Sequence, residues 1–326
     1  MHLTHPRRYA WILLVLALAL CTTLTTKPVS RVFADGPYLV RLPLVAKMSV
    51  SNSLPTPQPG TPPEQLALDR INAYRALAGV PPLEPHATLL AAAQHHADYD
   101  LLNHSDASAW TNGPHGEVSG KPGFSGVMPG DRAVAAGYPW AAGWEVMDYF
   151  DDPLRAIDGL MATVFHRINI LTPTHAYLGY GHGRSAVEAV DVLDFGRGSA
   201  DPPSLPDLAV YPGPSQVEVP RYGASEMPSP LPPGVSYPIG YPITLQPSGS
   251  GALRVDVAEL HDASGAPISL YPNPADCGTS CYALIPTAGL QSATAYTVHV
   301  AGAIDGISFD KIWSFTTTTC SDPLSC

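Results

Sequence analysis

From Pro202 to Pro242 a proline recurs every few residues (PPSLPDLAVYPGP, PSPLPPGVSYP). A residue with a fixed φ and no N–H can neither continue a helix nor pair inside a central strand, so the stretch reads as extended linker and edge-strand structure. It divides the chain in two. Before it, residues 64–200 carry helical periodicity at both ends with glycine-rich loops between them. Beyond it, residues 243–319 alternate in strand fashion: ITLQP, ALRVDVAEL, YALIP, AYTVHVAG, IWSFTTT. A second tract, SNSLPTPQPGTPPE, precedes the helical part as a semi-stiff spacer. The chain's 326 residues suffice for two domains with cores of their own. The expected division is a signal over 1–34, a Pro/Ser/Thr-rich linker over 35–63, a helix-and-strand domain over 64–200, a Pro-rich linker over 201–238, an all-β sandwich over 239–319 and a tail over 320–326.

Within the first domain, Pro62-Pro63 opens a helix carrying Leu66, Leu68, Ile71, Tyr74 and Leu77, stopped by Gly79-Val-Pro-Pro. A second helix runs through ATLLAAAQHHADYDLLN. Pro153 opens a third, PLRAIDGLMATVFHR, with Leu154, Ile157, Leu160, Met161 and Val164 on one side. Short strands follow in AYLGYG and VEAVDVLDF. Helices mixed with few strands and long loops point to an α+β fold, a layered sandwich rather than a doubly wound sheet. No Gly-rich loop follows a strand, which leaves nucleotide binding without support.

The first 34 residues read as an export signal. Arg7-Arg8 precede the apolar run Trp11–Leu20, too short for a comfortable membrane span, and Val-Phe-Ala before Asp35 is an acceptable cleavage site. Cys21 raises the alternative of a lipid anchor, although Leu20 is large for such a site, and retention as an uncleaved anchor is a further alternative. The whole chain carries −11; residues 1–34 hold four cations and no acid, which leaves 13 Lys+Arg against 28 Asp+Glu, or −15. Such a surface repels phosphate backbones and anionic lipid heads, so nucleic acid is excluded as a partner. The remaining cysteines, Cys277, Cys281, Cys320 and Cys326, lie near the C-terminus. In an exported chain the pairs Cys277–Cys281 and Cys320–Cys326 close two short loops; other pairings and a zinc site compete with this reading.

Four residues are candidates for a shared site: His115 and Glu117 in the loop GPHGEVSGKPGFSG, Glu145 in the strand WEVMDYF, and His166 at the end of the third helix. Glu145 is the most informative, because an acid between Trp144 and Val146 is costly to bury unless paired. Imidazoles are natural partners: a carboxylate accepting from one ring nitrogen fixes the tautomer and frees the other. His115 and His166 could hold a divalent ion such as zinc at about 2.0–2.1 Å, with solvent completing the shell. Each has a bland reading as well, His115 as a solvated loop residue and His166 as a cation at a helix C-terminus. Adjacent His95 and His96 face different ways, one into the core and one into water. His104, His175 and His182 read as surface or loop residues.

The order of these pieces resembles the CAP superfamily of cysteine-rich secretory, antigen 5 and pathogenesis-related proteins, in its bacterial SCP-like form, over roughly residues 64–198. LDRINAYRALAGVPPLEPHATLLAAAQHHADY is similar to the family's opening, N-x-x-R-x-x-x-G-x-x-x-L and then an Ala-rich helix. GFSGVMPGDRAVAAGY resembles the segment before its Gly-Glu-Asn, and FHRINIL-TPTHAYLGYG resembles its His-Arg-x-x-Ile-Leu and Gly-x-Gly strand. The resemblance implies an α-β-α sandwich, with His115 and His166 as cavity histidines and Glu145 as the acid of Gly-Glu-Asn. The departures are Gly143-Trp144-Glu145-Val146, which lacks the Asn, Leu160 in place of a helical Trp, and Thr163 in place of a second acid. Glu117 is placed to supply that missing carboxylate. LQSATAYTVHVAG and IWSFTTT resemble late strands of a bacterial Ig-like sandwich, with Tyr296 placed like a tyrosine-corner residue.

The implied function is that of a secreted or cell-surface protein whose His/Glu cleft binds a ligand or divalent metal, the ligand being a lipid, glycan or cell-wall component, with an Ig-like accessory module and no transmembrane domain after processing. Two alternatives stand beside it. One is metal-assisted hydrolysis of a wall polymer or peptide with Glu145 as base; the other is a non-catalytic role in surface adhesion.

Overall fold

The computed structural model describes residues 53–139, 144–198 and 205–320. The signal, Cys21, the first part of the 35–63 linker, Gly143 and Cys326 lie outside them. Among the described residues no helix is long and apolar enough to cross a membrane.

The described chain mixes helices with sheets. Helix α1 (Pro63–Leu77) starts at a proline, carries Glu64 in its first turn and buries Ala67, Ile71 and Tyr74 along one face. Gly79, at φ +72°, ends it in the left-handed region. Strand β1 (Glu84–Pro85) leads into α2 (Ala87–Asn103), and a glycine-rich loop then leads to the short α3 (Pro129–Ala135). Strand β2 (Trp144–Asp148), helices α4 (Pro153–Met161) and α5 (Phe165–Leu171), and the long strands β3 (His175–Arg184) and β4 (Ala189–Arg197) follow.

The four strands form one sheet in the order β1-β3-β4-β2, with β1 parallel to β3 and the other pairings antiparallel. Alternation sorts its side chains. Val146, Leu178, Tyr180, Leu193 and Phe195 belong to one core with Ile71, Tyr74, Ile157, Leu160 and Ile170 of α1, α4 and α5. Met147, Val190 and Val192 pack instead with Ala93 and Ala97 of α2. Helix α2 lies very close to the sheet: a Cβ on Gly179 would sit 2.2 Å from the Leu89 carbonyl oxygen, and one on Gly181 2.2 Å from the Ala93 carbonyl.

The third helix of the sequence reading is two helices. The chain breaks between Met161 and Phe165, and the backbone N–H groups of Val164, Phe165 and His166 donate to the Glu226 carboxylate at 2.7, 2.9 and 3.3 Å. His166 therefore stands in the first turn of α5, not at a helix C-terminus. Arg167 is fully buried. It donates to the Met161 and Pro242 carbonyls and lies over the rings of Tyr211 and Tyr241. Arg70 and Tyr74 are the residues that bond Asp158. His175, expected at the surface, is buried between Trp144 and Phe195, with Nδ1 on the Asn169 carbonyl.

The C-terminal part is all-β. Strands β5 (Leu208–Tyr211), β6 (Tyr222–Gly223), β7 (Ile239–Gly240), β8 (Ile243–Pro247), β9 (Leu253–His261), β10 (Leu270–Tyr271), β11 (Tyr282–Pro286), β12 (Ala295–Ile304) and β13 (Ile307–Thr316) form sheets β10-β11-β8-β5 and β13-β12-β9 and the pair β6-β7. The Tyr296 hydroxyl accepts from the Gln291 N–H at 2.8 Å. Cys277 and Cys281 form a disulfide. Tyr211, Tyr241, Leu245 and Phe315 belong to the same buried cluster as Tyr74 and Leu160, so apolar packing is continuous from α1 and α4 into these sheets.

Candidate functional site

Strand β2 pairs with β4, which places Glu145 opposite Asp194. Glu145 is buried and still ionised by its surroundings. His115 Nδ1 donates to its Oε1 at 2.8 Å, Arg132 Nη2 donates to its Oε2 at 2.5 Å, and His96 Nε2 lies 3.8 Å away. Burial pushes this carboxyl up, but the His115 hydrogen bond and the fields of His96 and Arg132 outweigh it and hold the group below its ordinary value. Asp194 goes the other way: burial and the neighbouring Glu145 charge push its carboxyl well above the ordinary range, which keeps it neutral.

Glu117 is equally buried, and it faces inward. It accepts from the Ser125 N–H (2.6 Å), the Gly126 N–H (3.3 Å), the Ser125 hydroxyl and His96 Nδ1 (3.0 Å), with Arg132 Nε 3.7 Å away. His96 Nε2 meets the Pro114 carbonyl at 3.0 Å. Both nitrogens of that ring therefore face acceptors. Two carboxylates, a guanidinium and an imidazole thus form one closed network. Its role is to hold the loop around His115: Arg132 Nη1 also donates to the His115 carbonyl at 3.1 Å. Of the adjacent pair on α2, His96 is the core residue and His95 the exposed one.

In front of this network lies a cleft of about 570 Å3, lined by His115, by Asp148 and Tyr149 at the end of β2, by Thr163 between α4 and α5, by His166 in the first turn of α5, and by Glu226. His115 and His166 thus share one cavity. Glu145 stands behind His115, with its side chain 1% exposed, and Glu117 does not line the cleft. The carboxylate beside His166 is Glu226, whose Oε2 lies 3.1 Å from Nδ1. Each of the two rings therefore turns Nδ1 to a carboxylate. Among the described residues no hydrogen-bond partner meets either Nε2.

Residues 68–190 match the family model of CAP, the cysteine-rich secretory protein family. The CAP segment runs from α1 into β4. It contains His115, Glu145 and His166 and stops short of Glu226. No curated protein matches the chain.

Arg132, His96, Asp194, Asp148 and Glu226 were not among the four candidates. For Asp194 a signal existed, since VDVLDF carries buried acids on opposite faces of an apolar strand, each of which must be paired or neutral. For Glu226, set in a proline-rich tract, no local signal existed. A divalent ion could be held within the CAP segment by the two Nε2 atoms with solvent. Among the described residues no group of three or more His, Cys, Asp or Glu side chains is arranged to hold a metal.

Proposed function

We propose that this chain is an exported CAP protein whose cleft binds a divalent cation such as zinc, and with it a lipid, glycan or cell-wall ligand, through His115 and His166. The observation that carries the reading is the pair of imidazoles in one cavity, each with Nδ1 turned to a carboxylate. That arrangement leaves an Nε2 lone pair as the donor a cation needs. The ion would supply a Lewis-acidic point for an oxygen of the ligand. His115 presents its ring from a loop clamped by Arg132, and His166 from the first turn of α5. Tyr149, about half exposed at 49%, offers an apolar wall beside them.

Binding is favoured over hydrolysis because Glu145, the carboxylate that would serve as base, is engaged by Arg132 and His115 behind the cleft. Export is supported by Arg7-Arg8 ahead of the apolar run Trp11–Leu20 and by the Cys277–Cys281 disulfide, which belongs to an oxidising compartment. We read the C-terminal sheets as an Ig-like accessory sandwich, a reading supported by two antiparallel sheets and the Tyr296–Gln291 bond. The test is metal analysis and calorimetric titration with zinc of the parent chain and of a His115→Ala, His166→Ala double variant. Stoichiometric zinc in the parent, lost in the variant, is expected. A parent that takes up no zinc, or a folded double variant that retains it, overturns the reading.

A further inference from the structure

Glu226 lies outside the CAP segment, 60 residues beyond His166, yet its carboxylate is the most heavily engaged group at the cleft wall. It accepts from three consecutive amides where α4 gives way to α5, and its Oε2 lies 3.1 Å from His166 Nδ1. The neighbouring backbone is held in place too, since the Ala224 N–H donates to the Ala162 carbonyl at 2.9 Å. The side chain of Glu226 has no exposed surface, so it offers nothing to a ligand directly. What it can do is set the ring beside it. A carboxylate accepts and never donates, so a ring nitrogen in contact with it carries the proton.

We propose that Glu226 is the positioning residue of His166: it fixes the Nδ1–H tautomer and turns the Nε2 lone pair into the cleft, which makes the binding site of the CAP segment dependent on the C-terminal part of the chain. The significance of the lone pair rests on the reading of the cleft given above; the tautomer assignment does not. Thr163 is the weaker acceptor at the same nitrogen: its hydroxyl donates its one proton to the Leu160 carbonyl at 2.6 Å, so toward Nδ1, 3.3 Å away, it can only accept, at a longer distance than Glu226 and without its charge. Glu226→Gln retains an oxygen for the helix amides but can present either an oxygen or an NH2 group to the ring, so once Thr163→Val has removed the second acceptor it no longer selects one tautomer.

The experiment is long-range 1H–15N NMR of the His166 ring in the metal-free full chain, for the parent, for Thr163→Val, which is expected to keep the parent tautomer, and for Glu226→Gln and Glu226→Ala made in the Thr163→Val background, each checked for folding by its thermal transition. The parent is expected to show a protonated Nδ1 and an unprotonated Nε2, and the folded Gln variant a mixture of tautomers. Zinc affinity, titrated on the same samples, is expected to fall roughly 10- to 100-fold in the Gln variant. A parent ring protonated on Nε2 overturns the proposal by itself, even if neither variant folds. So does a folded Glu226→Gln in the Thr163→Val background whose ring keeps the parent tautomer unmixed. Should the parent show the expected tautomer and the variant lose it while neither binds zinc, the metal reading falls and the positioning role stands.

Discussion

Glu145 and Asp194 face each other across the β2–β4 ladder, one ionised and one neutral, within reach of a single guanidinium. Two carboxyls this close, shielded from water, do not both ionise, and Arg132 decides which one does by bonding Glu145. Glu145→Gln removes the charge that Arg132 needs and leaves it with Glu117 at 3.7 Å. A loss of about 3 kcal/mol in unfolding free energy is expected, as for a buried pair that loses one partner. Asp194→Asn exchanges one neutral group for another of the same shape and should cost less than about 1 kcal/mol. Urea denaturation of both variants checks the assignment. Equal losses would place the proton on the wrong residue.

The contact between α2 and β3 has no room for a methyl group. Gly179→Ala and Gly181→Ala would each drive a Cβ to 2.2 Å from the backbone of α2, and neither a strand nor a helix backbone yields as a flexible side chain does. Each variant is expected to lose about 1–3 kcal/mol by overpacking. Gly249→Ala, where nothing lies within 4 Å, is the control and should leave the melting temperature unchanged. Parent-like melting in the two β3 variants would show that the helix stands further from the sheet.

Arg167 joins α5 to the C-terminal sheets without a carboxylate. It donates Nε to the Met161 carbonyl at 2.6 Å and Nη1 to the Pro242 carbonyl, and its guanidinium lies 5.0 and 4.5 Å from the centres of Tyr211 and Tyr241. Planarity makes this possible, because one face stacks while the edge donates. Lysine keeps the charge but reaches one carbonyl at most and buries a more strongly hydrated ion. Arg167→Lys should therefore destabilise the chain by about 2–3 kcal/mol, read from chemical denaturation. A variant within 0.5 kcal/mol of the parent, taken as about the noise of surface substitutions, would mean that charge alone matters there.

What could be read from the sequence is what neighbours in the chain decide. Pro62-Pro63 and Gly79 bound α1, and the alternation of VEAVDVLDF gives β4. Trp144 and Val146 mark Glu145 as an acid that needs partners. The remainder is set by residues far apart along the chain. PLRAIDGLMATVFHR has a continuous apolar stripe, and only Glu226, arriving from the proline-rich tract, supplies acceptors for the amides freed by a break after Met161. Glu117 has the right residue type in the right loop, yet the Ser125 and Gly126 amides draw it inward, and no local pattern distinguishes that turn from its opposite. His175 follows Thr-Pro-Thr as a loop residue would, and is buried because Phe195, Trp144 and the Asn169 carbonyl enclose it.

Asp148 gives the cleft a pH dependence whose sign can be worked out. Burial pushes its carboxyl up from an ordinary value near 3.8 to about 7; the Phe150 N–H, donating at 2.7 Å, pulls it back and the field of Asp191 pushes it further up. Between pH 4 and 7, roughly, the unfolded chain has released this proton while the folded chain still holds it. Its contribution to stability is therefore complete below the unfolded value, declines as pH rises through that window, and is flat above it. Asp148→Asn keeps an oxygen for the Phe150 amide and removes the titration. Relative to the parent, the variant should gain on the order of 2 kcal/mol between pH 4.5 and pH 8, allowing for the partial exposure of the group. Unfolding free energies from urea denaturation at pH 4.5, 6 and 8 decide the matter: a parent–variant difference that does not change with pH would mean that Asp148 ionises as it does in the unfolded chain and carries its charge throughout that range.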